Sequence, residues 1–141
     1  MSFMGKAGFA VAALGLAAGS VFGAGAAKAD NLYAAYAVSD REWVFGIGVN
    51  APSREDAEAE AIANCGADDC RVVTWWGNGC AALVESDQGF AVSVAATRAE
   101  AEREAYTLLS EITPTAQLAN FGSSQFSGAD LVDVTCTANA R

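Results

Sequence analysis

Ala51-Pro52-Ser53-Arg54-Glu55-Asp56-Ala57-Glu58-Ala59-Glu60-Ala61 returns 44 positions later as Ala95-Ala96-Thr97-Arg98-Ala99-Glu100-Ala101-Glu102-Arg103-Glu104-Ala105. Six of the eleven pairs are identical, and Ser53/Thr97 and Asp56/Glu100 are near-equivalents. Each copy carries the signature of a helix start. The hydroxyl of Ser53 or Thr97 is suited to accept from the orphan amides of the first turn. Glu100 occupies the capping-box position, with Asp56 as its shorter counterpart. The acids that follow complement the positive end of the helix dipole. Arg54/Glu58 and Arg98/Glu102, four residues apart, offset the like-charge neighbours Asp56/Glu60 and Glu100/Glu104.

Outward from these caps, Ala57, Ala61, Ile62 and Cys65 form one helical stripe, and Ala101, Ala105, Leu108, Leu109 and Ile112 form another. Strand-like runs flank them: Tyr33–Val38 and Trp43–Val49 before the first helix, and Arg71–Trp76 after it. Gly77-Asn78-Gly79 offers the positive-φ residues of a hairpin turn into Cys80–Val84. Ser86-Asp87-Gln88-Gly89 leads into Phe90–Val94 and the second helix, and Leu131–Thr137 closes the chain. The expected fold is α+β: two tandem β-β-α-β repeats, about 33–76 and 80–137. They form one mainly antiparallel sheet of about six strands with both helices on one face. The Ser/Gly/Thr-rich stretch 113–129 reads as a long loop, with Phe121 and Phe126 tucked onto the domain.

The amino terminus has a different composition. Lys6 precedes an apolar Ala/Gly/Leu/Val run over 7–22, and Ala27-Lys28-Ala29 places small residues where a signal peptidase reads. The run is shorter than the roughly 20 residues that span a bilayer. Residues 1–29 are therefore read as a signal peptide, leaving a single α+β domain over 30–141 that is exported to the periplasm, wall or medium without membrane insertion. Both lysines leave with the signal, taking the formal charge from −9 to −11. So acidic a chain is a poor partner for nucleic acid, and the absence of histidine excludes His-dependent triads and zinc sites.

Export makes disulfides the expected state of Cys65, Cys70, Cys80 and Cys136. Four cysteines admit three pairings. Cys65 at a helix end and Cys70 at the next strand's start favour Cys65–Cys70 across a tight corner, leaving Cys80–Cys136 to tie mid-chain to the last strand. No Cys-x-x-Cys spacing supports a metal or redox role, and no metal or cofactor is expected.

These residues resemble a known family. The export signal precedes Ala37-Val38-Ser39, then Pro-Ser-Arg-x-x-Ala-x-x-x-Ala ahead of a cysteine pair, from Pro52 to Cys70. Arg71-Val72-Val73-Thr74-Trp75-Trp76 follows, then Cys80-Ala81-Ala82-Leu83 and the second Thr-Arg-Ala-Glu-Ala-Glu helix. The pattern is similar to the domain-of-unknown-function 4189 family of small exported bacterial proteins, over roughly Asn31 to Glu111. Leu109 departs from it, because family members usually carry a cysteine near the end of the second helix. The resemblance implies this fold outline and export, and it implies no reaction.

Candidate binding residues are the aromatics. Trp75 and Trp76 are adjacent on a strand, so their indoles face opposite sides. One is expected to pack under the helices, and the other, with Trp43 and Phe45, to offer a stacking surface. Phe121 and Phe126 on the long loop are a second candidate. Asp68-Asp69 reads as solvated turn residues rather than a calcium site, and Gly46-Ile47-Gly48 lacks the third glycine of a dinucleotide loop. The function expected is a secreted, non-enzymatic module that binds a protein or cell-envelope component. The alternative is a carboxylate-dependent cell-wall glycan hydrolase using Glu85 and Asp87.

Overall fold

A computed structural model describes residues 31–140; the expected signal peptide over 1–29 lies outside them. Strand β1 (Tyr33–Ser39) and strand β2 (Val44–Ala51) precede helix α1 (Arg54–Cys65) and strand β3 (Arg71–Gly77). Strand β4 (Cys80–Ser86), strand β5 (Gly89–Ala95), helix α2 (Arg98–Leu109) and strand β6 (Ala129–Cys136) follow. The stretch before β6 holds two short 3₁₀ helices, Pro114–Phe121 and Ser124–Phe126.

Both helix caps form. Ser53 Oγ accepts from the Asp56 N–H at 3.1 Å, and Thr97 Oγ1 accepts from the Glu100 N–H at 3.3 Å. Gly66 ends α1 in the left-handed region, at φ 72°, as suits a residue without a Cβ.

The strands form two antiparallel three-stranded sheets, in the orders β2-β1-β3 and β5-β4-β6. This corrects the expectation of one six-stranded sheet. Gly77-Asn78-Gly79 does contain a positive-φ turn residue, Asn78 at 53°. However, β3 pairs with β1 while β4 pairs with β5 and β6, so the segment is a crossover between sheets rather than a hairpin.

The two helices also take opposite outer faces rather than a shared one. Ala57, Ala61 and Cys65 of α1 pack on Ala35, Ala37 and Val44. Ala101, Ala105 and Leu109 of α2 pack on Cys80, Ala82 and Val84. Between the sheets lies a third cluster of Ala34, Tyr36, Trp76, Ala81 and Leu83, with Phe45, Ile47, Phe90, Val92 and Val132 at its border. The layers therefore run helix, sheet, sheet, helix.

Side-chain size explains that order. Along β2, Gly46 and Gly48 turn toward α1, whereas Phe45, Ile47 and Val49 turn toward the other sheet. Helix α1 comes so close that a Cβ on Gly46 would lie 2.2 Å from the Ala61 carbonyl oxygen. Most of the bulky apolar residues of each sheet are thus on the face away from its helix, and a second sheet is what removes them from water. The central strands β1 and β4 are buried on both faces. Ile62, Leu108 and Ile112, expected in the helical stripes, are exposed. With period 3.6 Ile62 and Leu108 fall at the stripe edges, where the alanine-floored contact is too narrow to cover them, while Ile112 lies beyond the end of α2 at Leu109.

Two disulfides staple the layers. Cys65–Cys70 closes the α1–β3 corner with an S–S distance of 2.03 Å. Cys80–Cys136, at 2.09 Å, joins residues directly opposite each other on β4 and β6. No helix among the described residues is long and apolar enough to cross a membrane.

Candidate functional site

Register places one aromatic pair at the surface. Tyr33 opens β1 opposite Gly77, and Trp75 of β3 lies opposite Ala35, so the two rings are diagonal neighbours on the sheet face that carries α1. Their centroids are 6.4 Å apart and their planes are inclined by 43°. Helix α1 begins only at Arg54, whose guanidinium carbon stands 4.6 Å from the centre of the Trp75 ring. Arg54 Nε also donates to Glu58 Oε1 at 2.6 Å, so its charge is partly answered within the helix. Trp75 remains 42% exposed.

Two clefts meet at these residues, sharing Tyr33 and Pro52. One, of about 340 Å³, is lined by Tyr33, Pro52, Ser53, Arg54, Glu55 and Trp75. The other, of about 460 Å³, is lined by Asn31, Leu32, Tyr33, Asn50 and Pro52. A web of asparagines sets its walls. The Ala138 N–H donates to Asn50 Oδ1 at 2.7 Å, and the Leu32 N–H donates to Asn78 Oδ1 at 3.1 Å. Asn78 Nδ2 in turn donates to Asn31 Oδ1 at 2.8 Å. The start of β1, the crossover and the segment just after β6 are thereby tied together at one end of the molecule.

The other sequence candidates lie elsewhere. Trp76 is only 2% exposed and packs 5.0 Å from Tyr36, itself 6.4 Å from Phe45. These rings fill the space between the sheets, so the face expected to offer Trp76 and Phe45 for stacking is covered by the second sheet. Trp76 Nε1 is buried without a hydrogen-bond partner. Trp43 occupies the β1–β2 turn at φ 52°, an unusual backbone region for so bulky a residue. Phe121 and Phe126 are 79% and 67% exposed, not tucked onto the domain; they project from the two 3₁₀ segments that wrap past α2.

Glu85 is 7% exposed, paired on β4 with Phe90 on one side and Asp130 on the other, while Asp87 sits in the exposed β4–β5 turn. Asp69 is used to brace the β1–β2 turn, accepting from Ser39 Oγ at 2.6 Å and from the Arg41 N–H at 3.4 Å. The Ser39 hydrogen bond holds its carboxyl below the usual aspartate range. Among the described residues no three acids, cysteines or histidines gather in a way that could hold a metal ion. Between the sheets, Tyr36 donates to Asp133 Oδ2 at 2.5 Å. Burial, reinforced by the Asp133 carboxylate, pushes the Tyr36 hydroxyl far above the ordinary tyrosine range.

Tyr33, Pro52, Arg54 and Asn50 were not candidates by sequence. Pro52 and Arg54 belong to a capping motif and Tyr33 to a strand end, and only the pairing of β1 with both β2 and β3 brings them to Trp75.

Residues 33–119 match the family described as "Domain of unknown function (DUF4189)". Protein Rv1269c of Mycobacterium tuberculosis and Protein Mb1300c of Mycobacterium bovis are each 34% identical over 88 residues. The match covers 59% of this chain and 65% of each relative, just under two thirds of their length. No solved structure matches the chain.

Proposed function

The chain belongs to the DUF4189 family, and from that premise we propose that it is an exported, non-enzymatic binding module whose ligand docks in the paired clefts around Tyr33, Pro52, Arg54 and Trp75. The observation that carries this reading is the half-exposed Trp75 beside Tyr33 and Arg54 in a concave surface. Trp, Tyr and Arg are the types that dominate binding hot spots, Trp and Tyr adding large contact area at modest entropic cost. Two disulfides accord with an oxidising compartment, as does the leader-like composition of residues 1–29. We read the halves, each β-β-α-β with its first strand central, as copies of one unit.

The test uses the protein produced with its own leader. Mass spectrometry of the exported form is expected to show an amino terminus near Asp30 and no free thiols. Immobilised on a resin, that form is expected to retain a component of the producing organism's envelope extract. Trp75→Ala should release it, while Phe121→Ala should not. Equal retention by wild type and Trp75→Ala, or loss through Phe121→Ala instead, overturns the assignment of the site.

A further inference from the structure

The hydrogen-bonding state of the clefts narrows the ligand. Because a backbone N–H can only donate, the Ala138 contact fixes the Asn50 oxygen inward to the protein. The Leu32 contact fixes Asn78 in the same way, and through it Asn31. Each lining asparagine thus turns its oxygen to a donor of the chain, leaving its NH₂ group and the second lone pair of that oxygen for a ligand. Arg54 can only donate. Ser53 already donates to Asp56 Oδ2 at 2.7 Å and accepts from the Asp56 N–H. Glu55 is the one carboxylate in the lining.

A surface of two inclined rings, a proline and an excess of N–H donors complements a ligand with flat apolar rings and unpaired acceptors. A sugar's hydroxyls would ask for acceptors as well, which among the lining side chains come chiefly from Glu55 and the second lone pairs of the asparagine oxygens. A proline-rich segment fits well. Its rings stack on aromatic side chains, and each proline keeps its carbonyl but has no N–H. Its polyproline II form is preorganised, so little entropy is lost on docking.

We propose that the Tyr33–Trp75 clefts bind a proline-rich peptide segment in the polyproline II conformation, with a basic residue of that segment meeting Glu55. The proposal rests on the site assignment above and adds the ligand class. The net acidity of the chain favours the basic flank.

The probes are a synthetic deca-proline, the same peptide with one terminal arginine, and a chito-oligosaccharide, each titrated by calorimetry into the exported protein. Saturable binding of both peptides is expected, tighter for the arginine-bearing one. Trp75→Ala should weaken it by roughly tenfold or more, the loss typical of a hot-spot residue. Glu55→Ala should remove the preference for arginine and leave deca-proline binding unchanged. Trp75 is half-exposed and Glu55 exposed, so both variants are expected to fold, which circular dichroism checks. No saturable peptide binding at millimolar concentration overturns the proposal, and so does binding of the oligosaccharide alone. If peptides fail while Trp75→Ala still abolishes retention of the envelope component, the ligand class is wrong and the site stands. If both fail, the site assignment falls as well.

Discussion

Replacing Gly46 with alanine should destabilise this protein severely, although alanine ordinarily improves a strand. On open ground the exchange gains about 0.5–1 kcal/mol, because glycine loses more backbone entropy on folding. Here the added Cβ falls 2.1 Å from the Cys65 amide nitrogen and 2.2 Å from the Ala61 carbonyl oxygen, where ordinary contact begins near 3.4 Å. Relief requires α1 to retreat by more than an ångström. The helix cannot yield locally, since Ala57, Ala61 and Cys65 are fully or almost fully buried and Cys65 is bridged to Cys70. Overpacking costs about 1–3 kcal/mol where side chains can adjust. With backbone atoms as the obstacle, we expect at least the upper end, about 3 kcal/mol. Against a typical domain stability of about 5–15 kcal/mol, that should lower a urea midpoint by roughly 1–3 M at the usual slopes. Gly77→Ala is the matched control. Its Cβ would meet the Tyr33 ring at an ordinary 3.5 Å, so its midpoint should stay near wild type. A Gly46→Ala midpoint equal to or above wild type, at unchanged slope, would refute the close-approach account of the α1–β2 contact.

The bridges should differ in worth. Cys80–Cys136 spans a separation of 56 residues and Cys65–Cys70 only 5. Chain-entropy scaling then gives about 4 kcal/mol for the first and about 2 kcal/mol for the second, so paired alanine variants should unfold in that order in urea. The Tyr36 pKa is raised in the folded state. Its contribution is therefore complete below the unfolded tyrosine value, about 10, and drains away as pH rises beyond it, by at most about 1.4 kcal/mol per pH unit. Tyr36→Phe should flatten that alkaline fall in stability, while the slope from Tyr106, which burial also raises, stays. Asp69 behaves oppositely. Its folded pKa is lowered, so its contribution is present above the unfolded aspartate value and lost as pH falls through the folded one. Ser39→Ala should shrink that acid-side loss, read from thermal midpoints between pH 6 and pH 2.

Local features were legible because their causes are local. A hydroxyl three residues before an amide caps a helix wherever the chain goes next, and Ser53 and Thr97 do so. Strands β1 and β4 were recognisable as apolar runs, but a run buried on both faces does not say what covers each face. The sheet partition was misjudged at Gly77-Asn78-Gly79 because a positive-φ turn serves a hairpin and a sheet-to-sheet crossover equally well. As sequence, Gly46 and Gly48 carry no more than a fragment of a dinucleotide loop. In the fold they are the floor on which α1 rests.

The aromatic site shows the same boundary. That Trp75 and Trp76 point to opposite sides follows from strand geometry alone. Which of them meets water depends on the second sheet, which buries Trp76 against Tyr36 and leaves Trp75 beside Arg54. Composition, helix caps and the apolar runs were settled by the order of residues, since each depends on neighbours a few positions apart. The stacking of two sheets, the opposite sides taken by the helices and the meeting of Tyr33 with Trp75 were decided by long-range packing. The bulky faces of two separate sheets had no other way to leave water, and that interior cannot be read from either half by itself.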